Sequence, residues 1–242
     1  MDVDSPHMSN GAGRDGAAPD AMRAETTAEL RALVAAYPGD LDALGRLGDA
    51  QLADHDPDGA LATATTAIEL DPNRGLPYRQ ASIAYSRRGN HREAIAHAER
   101  AVRLAPTDPR GFTALARALV RAKRDLERAR YAAVRAIVIA PDAAEAHLVF
   151  GIVSGAERED AAAEAAFRRA LALDPGNMTA RNELARLAMR RAALGLRGGS
   201  AQPATGVTAA DLPVEVATPR SDTDQAARTL LSRLVRRRVT AA

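Results

Sequence analysis

Residues 78–106 read YRQASIAYSRRGNHREAIAHAERAVRLAP. Large residues (Tyr78, Tyr85, Ile95) alternate with small ones (Ala81, Ser82, Ala94, Ala98, Ala101) at helical spacing, and Pro106 closes the unit. The arrangement returns at intervals of 34, 35 and 34 residues, marked by Pro72, Pro106, Pro141 and Pro175. A fixed period of this length is the sequence signature of a solenoid, in which one supersecondary unit stacks on the next.

Composition supports the same reading. Aromatics make up only 3% of the 242 residues and Trp is absent, which favours helices packed through small side chains over a sheet of β-branched and aromatic pairs. Without cysteine there is no disulfide framework, thiol nucleophile or thiolate metal site. No apolar run approaches the roughly 18 residues that span a membrane. The polar, acidic start MDVDSPHMSN does not read as a signal peptide. A cytoplasmic protein is the simplest expectation. The isoelectric point near 9.4 looks strongly basic, yet the formal charge is only +2, and few groups titrate between neutrality and that point. It is therefore poor evidence for nucleic acid. Lys123 is the one lysine; the other basic residues in that charge are arginines, suited to fixed carboxylate pairing.

Taken in order, residues 1–19 lack an apolar period and are expected to be disordered. Residues 20–38 read as an N-terminal capping helix, capped by Asp20, with a stripe of Leu30, Leu33, Val34 and Tyr37. An array over 41–196 follows, as units 41–74, 75–108, 109–143 and 144–177 and a terminal helix at 178–196 that reads as a solubilising end piece. Each unit predicts two helices joined by a short turn, the second ending at Asp-Pro or Ala-Pro. The third unit carries one extra residue near its turn, between Arg121 and Arg128. A linker at 197–220 contains Asp211-Leu-Pro-Val-Glu-Val216. Residues 221–240 then read as a basic amphipathic helix with Ala227, Leu230, Leu231, Leu234 and Val235 in one stripe.

The units resemble tetratricopeptide repeats, whose pattern sets large residues at the fourth, seventh, eleventh and twenty-fourth positions. Small ones stand at the eighth, twentieth and twenty-seventh, and proline at the thirty-second. Gln51 and Ser154 depart from that pattern where the bulky eleventh residue belongs, and Ala81 does so at the seventh position of its unit. The resemblance implies an all-α, right-handed solenoid of about four helical hairpins with capping helices. It also implies a concave groove, lined by the first helices, that holds a peptide or a helix of another protein. Carried onto this chain, that groove comprises Arg79, Ile83, Arg87, Arg110, Arg117, Arg121, Leu148, Val149 and Ile152.

Exposed ion pairs contribute about 0–1 kcal/mol each and a buried aliphatic side chain about 1.5–3 kcal/mol. The apolar trio is thus expected to supply affinity, and the arginines to select an acidic segment. The competing reading of each arginine is a solvated face. The fourth first-helix, AEAHLVFGIVSGA, is apolar nearly all round and predicts burial on two sides. A foreign peptide, a second copy, or the chain's own tail, through Asp211, Leu212, Val214, Glu215 and Val216 or the final helix and in competition with a partner, are the candidates to cover Leu148, Val149 and Ile152.

Other chemistries find no support. The chaperone-tail clamp of some tetratricopeptide domains needs Lys, Asn, Asn, Lys and Arg where this chain has Gly45, Asp49, Gln80, Arg110 and Ala114. The run Asp54-His-Asp56-Pro-Asp58-Gly59 begins like a calcium loop but has Thr65 where the closing glutamate belongs; Asp56 as a helix cap with Pro57 behind it accounts for the run. His7, His55, His91, His97 and His147 form no metal or catalytic spacing. No catalytic residue, metal or cofactor is expected. A nucleic-acid or anionic-membrane adaptor acting through 221–240, and a homo-oligomeric array, are the alternative functions.

Overall fold

The computed structural model describes residues 26–193, so the expectations placed on residues 1–19, on Asp20, on the linker at 197–220 and on the helix at 221–240 lie outside the described residues. Among the described residues the fold is all helical, and it is the solenoid that the period predicts. Its elements are α1 (Thr27–Ala36), α2 (Leu41–Ala53), α3 (Pro57–Leu70), α4 (Gly75–Arg87), α5 (His91–Leu104), α6 (Pro109–Arg121), α7 (Leu126–Ile139), α8 (Ala144–Ala156), α9 (Asp160–Leu173) and α10 (Met178–Ala193). The hairpins are α2–α3, α4–α5, α6–α7 and α8–α9.

Each hairpin turns by the same device. The N–H groups of Asp56, Asn90, Arg124 and Glu159 donate to the carbonyls of Gln51, Tyr85, Leu119 and Ser154, five residues back. That bond closes a Schellman motif and requires a left-handed residue just before its donor. His55 (φ 60°), Gly89 (φ 81°), Lys123 (φ 51°) and Arg158 (φ 66°) occupy that place. Only the second hairpin meets the requirement with glycine. The extra residue of the third unit is absorbed in this turn, where Asp125 is also left-handed (φ 46°) while its carboxylate caps α7 through the Arg128 N–H.

Second helices stop because the residues before Pro72, Pro106, Pro141 and Pro175 leave the helical region, as the proline ring favours. First turns are capped by Asp40, Asp56 and Asp108, with Pro57 and Pro109 at the first helical position, which confirms the capping reading of Asp56. At α1 the cap is Thr26, in a reciprocal capping box with Glu29, so this helix begins at Thr27 and not behind Asp20 as the sequence reading expects. The expected stripe on that helix is narrower than the spacing suggested: Leu30 is buried, while Tyr37 is 64% exposed.

Successive first helices pack on one another along the array (α2–α4, α4–α6, α6–α8, α8–α10), while successive second helices stand farther apart, α5 and α7 being joined by the Glu99–Arg128 ion pair. First helices are therefore crowded on the inside of the curve. Between the two rows, Ala116, Ala129, Ala133, Ala136 and Ala146 are fully buried around Phe112, Leu119, Ile137 and Phe150. Alanine at these places lets helix axes approach to about 8–10 Å. The bulky eleventh residue has two polar stand-ins: the Thr63 hydroxyl donates to the Gln51 side-chain oxygen at 2.8 Å, and Ser154 is fully buried. Helix α10 packs Ala180 and Leu187 onto α8 and α9. Its Ala185 and Ala188 are exposed, although the register-equivalent Ala116 and Leu119 of α6 are buried by a second helix.

Candidate functional site

The inner wall divides into a closed half and an open half. In the closed half, between α2 and α4, Arg79 is 7% exposed and donates to both oxygens of Asp49 at 2.9 and 3.0 Å. Gln80 donates to the Gly45 carbonyl at 2.7 Å and to Asp49 at 2.9 Å. Gly48 makes the room, since a Cβ there would meet the Gln80 amide at 2.7 Å. This network joins the two hairpins, and it corrects the expectation that Arg79 faces a partner. It also engages Asp49 and Gln80 internally, two of the places a chaperone-tail clamp would need. Ile83 is half-buried against Leu52, Ala60 and Ala84.

Arg110 is exposed at the N-terminal end of α6 and pairs with its own cap, Asp108, at 3.3 Å. It lies three helical turns from Arg121, so the five arginines do not converge. Three gather. Arg87 donates to the Leu52 carbonyl, and its burial together with the positive charge of Arg121 and Arg117 lowers its affinity for its proton. Arg117 pairs with Glu145 at 2.7 Å. Desolvation pushes the Glu145 carboxyl up although its side chain is 47% exposed, and Arg117 pulls the other way. No carboxylate lies within ion-pair distance of Arg87 or Arg121 among the described residues.

The expectation that Leu148 and Val149 await a cover is overturned. Leu148 is 2% exposed, packed with Ala163, Phe167 and Leu187, and Val149 is fully buried in the central core. The helix is indeed buried on two sides, but by α10 and its own neighbours. Ile152 alone of that trio stays half-exposed.

It lines a cleft of about 600 Å³. One wall is Arg117, Val120 and Arg121 of α6; the other is Thr179, Glu183, Arg186, Leu187 and Arg190 of α10, with Ile152 and Phe167 between. Arg186 pairs with Glu183 at 2.7 Å, and Arg190 with Asp160. The α10 contribution was missed in the sequence because that helix reads as an end cap. Carrying the repeat register one unit further places Thr179, Glu183, Arg186 and Arg190 on the groove-lining positions. The arrangement offers guanidinium donors around a partly apolar floor, which suits carboxylates attached to aliphatic groups. Among the described residues no three His, Asp or Glu side chains gather as a metal site.

Stacked helical hairpins with their first helices on the inner wall define an α-solenoid. The family model for the tetratricopeptide repeat matches residues 78–108. Among solved structures, the chain resembles TTC0263, a thermophilic TPR protein in Thermus thermophilus. Identity is 18%, with 67% of this chain and 89% of that one covered and a TM-score of 0.60. It also resembles the APC/C hetero-tetramer Cut9–Hcn1 at 18% identity, with 70% of this chain and 34% of that one covered and a TM-score of 0.62. No curated protein matches the sequence. The fold is that of tetratricopeptide repeat solenoids.

Proposed function

We propose that the chain is a non-catalytic protein-interaction scaffold whose open half, the cleft between α6, α8 and α10, grips an acidic, aliphatic segment of another protein. One observation carries this reading: Arg117, Arg121, Arg186 and Arg190 ring a cavity with Ile152 and Phe167 on its floor, and while three of them pair with Glu145, Glu183 and Asp160, Arg121 has no carboxylate within ion-pair distance among the described residues. Long-range attraction from such a ring selects and speeds an acidic partner, and burial of aliphatic side chains on the floor holds it.

Fluorescence anisotropy with a labelled peptide of alternating Glu and Leu, against its Gln/Leu counterpart, tests the reading. The acidic peptide is expected to bind the full chain, and Arg121→Glu with Arg186→Glu to weaken it at least about tenfold, the effect of losing about 1.4 kcal/mol. Arg103→Glu, on a second helix, is expected to leave binding unchanged. Equal binding of both peptides, or indifference to the cleft substitutions, would refute it. Binding of DNA or anionic vesicles that falls steeply with salt would favour the basic segment 221–240 instead.

A further inference from the structure

We propose that the cleft is occupied in the free protein by the chain's own residues Asp211–Val216, so that a partner must displace this segment in order to bind. This rests on the reading of the cleft as a site for acidic, aliphatic segments, and adds its regulation.

Chemistry comes first. Within six residues the segment sets two acids, Asp211 and Glu215, against three large aliphatic residues, Leu212, Val214 and Val216. No other stretch outside residues 26–193 does so. Pro213 biases Leu212 to extended backbone. In an extended chain alternate side chains face opposite ways. Leu212, Val214 and Val216 then share the side that meets Val120 and Ile152, and the carboxylates share the side within reach of the rim arginines. Arg121 is the natural counter-ion, since it has no carboxylate within ion-pair distance among the described residues.

Reach comes second. Arg190 lines the cleft, and α10 ends three residues later at Ala193. The 17 residues from 194 to 210 separate that end from Asp211. A flexible chain of this length has a root-mean-square span of about 20–25 Å, and a maximum of about 60 Å. The segment is thus tethered beside the cleft at an effective concentration in the millimolar range. A free peptide with a Kd in the tens of micromolar would be outcompeted about 10- to 100-fold by the tethered copy.

The test uses the full chain and a full-length variant with Asp211→Asn, Leu212→Ser, Val214→Ser and Glu215→Asn. These positions lie outside the helical array, so far-UV circular dichroism is expected to be unchanged. A labelled peptide with the sequence of residues 207–220 is the probe. It is expected to bind the variant at least about tenfold tighter than the wild type, and to lose that binding when Arg121→Glu and Arg186→Glu are added. Equal binding to both chains overturns the proposal and leaves the cleft reading intact. If the probe binds neither chain while the Glu/Leu peptide binds both equally, the proposal again fails alone. Failure of both peptides on the variant refutes the cleft reading as well. A wild type that is dimeric while the variant is monomeric places the segment in a second copy's cleft and overturns docking within one chain.

Discussion

Gly151 lies flat against the ring of Phe167: a Cβ built on the glycine would sit 2.5 Å from the ring's Cε1 and 2.6 Å from its Cδ1. The pair is the fourth hairpin's solution to a problem the other hairpins solve differently. Where Phe167 stands, they carry Ala64, Ala98 and Ala133.

Gly151→Ala is expected to destabilise the array. Overpacking a closed contact costs about 1–3 kcal/mol, against at most about 1 kcal/mol gained in helix propensity. Gly155→Ala, one turn on and with nothing within 4 Å of the added methyl, is expected to be stabilising by up to about 1 kcal/mol. Urea denaturation midpoints with opposite signs are the expected result; loss of stability in both variants would contradict it.

The hairpin turns offer a second test. His55, Lys123 and Arg158 hold left-handed backbone that costs an L-residue about 1–2 kcal/mol, and Gly89 does the same work without that cost. Glycine also loses more entropy on folding, by about 0.5–1 kcal/mol. Each of His55→Gly, Lys123→Gly and Arg158→Gly is therefore expected to raise stability by a few tenths to about 1 kcal/mol, while Gly89→Lys lowers it. Thermal melts of the four variants check the signs.

Asp49 and Arg79 are unequal partners. Asp49 keeps 43% of its side chain in solvent, whereas Arg79 keeps 8%. Removing the acid strands a buried guanidinium and the Gln80 amide, so Asp49→Ala is expected to cost about 1–3 kcal/mol. Arg79→Met replaces the charge with a chain of similar reach and leaves Asp49 open to water, so it is expected to cost less. Chemical denaturation showing the reverse order would remove the asymmetry.

Acid is expected to weaken the array through two imidazoles. Burial lowers the proton affinity of His147, whose Nε2 lies 2.7 Å from the Pro141 carbonyl oxygen, although that bond and Asp142 act in the opposite sense. Burial likewise lowers His97, whose ring lies tilted against those of Tyr78 and Tyr85 at 5.8 and 5.1 Å, against the pull of Glu93. Since the folded-state value lies below the ordinary 6.5, the unfolded chain takes up protons first as the pH falls. Stability is thus complete above about pH 6.5 and declines below it. Urea midpoints at about pH 7.5 and 5.5 should differ in that direction, and His97→Gln with His147→Gln should flatten the difference.

The fold was legible because backbone chemistry writes itself locally. Prolines, small residues and helix caps recur at one period, and each acts within its own unit. The site was less legible because solvent exposure is decided between units. Arg79 and Arg117 look alike in sequence, yet Asp49, thirty residues earlier, draws the first into the wall. Leu148 reads as unsatisfied only while α10 is taken for a polar end piece, and Val149 only while the packing of α8 on the preceding hairpin is unseen. Once Ala180 and Leu187 are placed on α8 and α9, Leu148 is covered and Arg186 and Arg190 join the cleft, while Val149 is closed in by the central core.

Inner helices touch their successors and also receive the preceding outer helix, whereas successive outer helices meet more sparsely, as at Arg128 and Glu99, so the stack is bound more tightly toward its inner edge, like the pages of a book. Its softest deformation fans the outer edge and leaves the spine in place. Seating a wedge between α6 and α10 at that spine would therefore register farthest away, as a change in superhelical pitch read at α1.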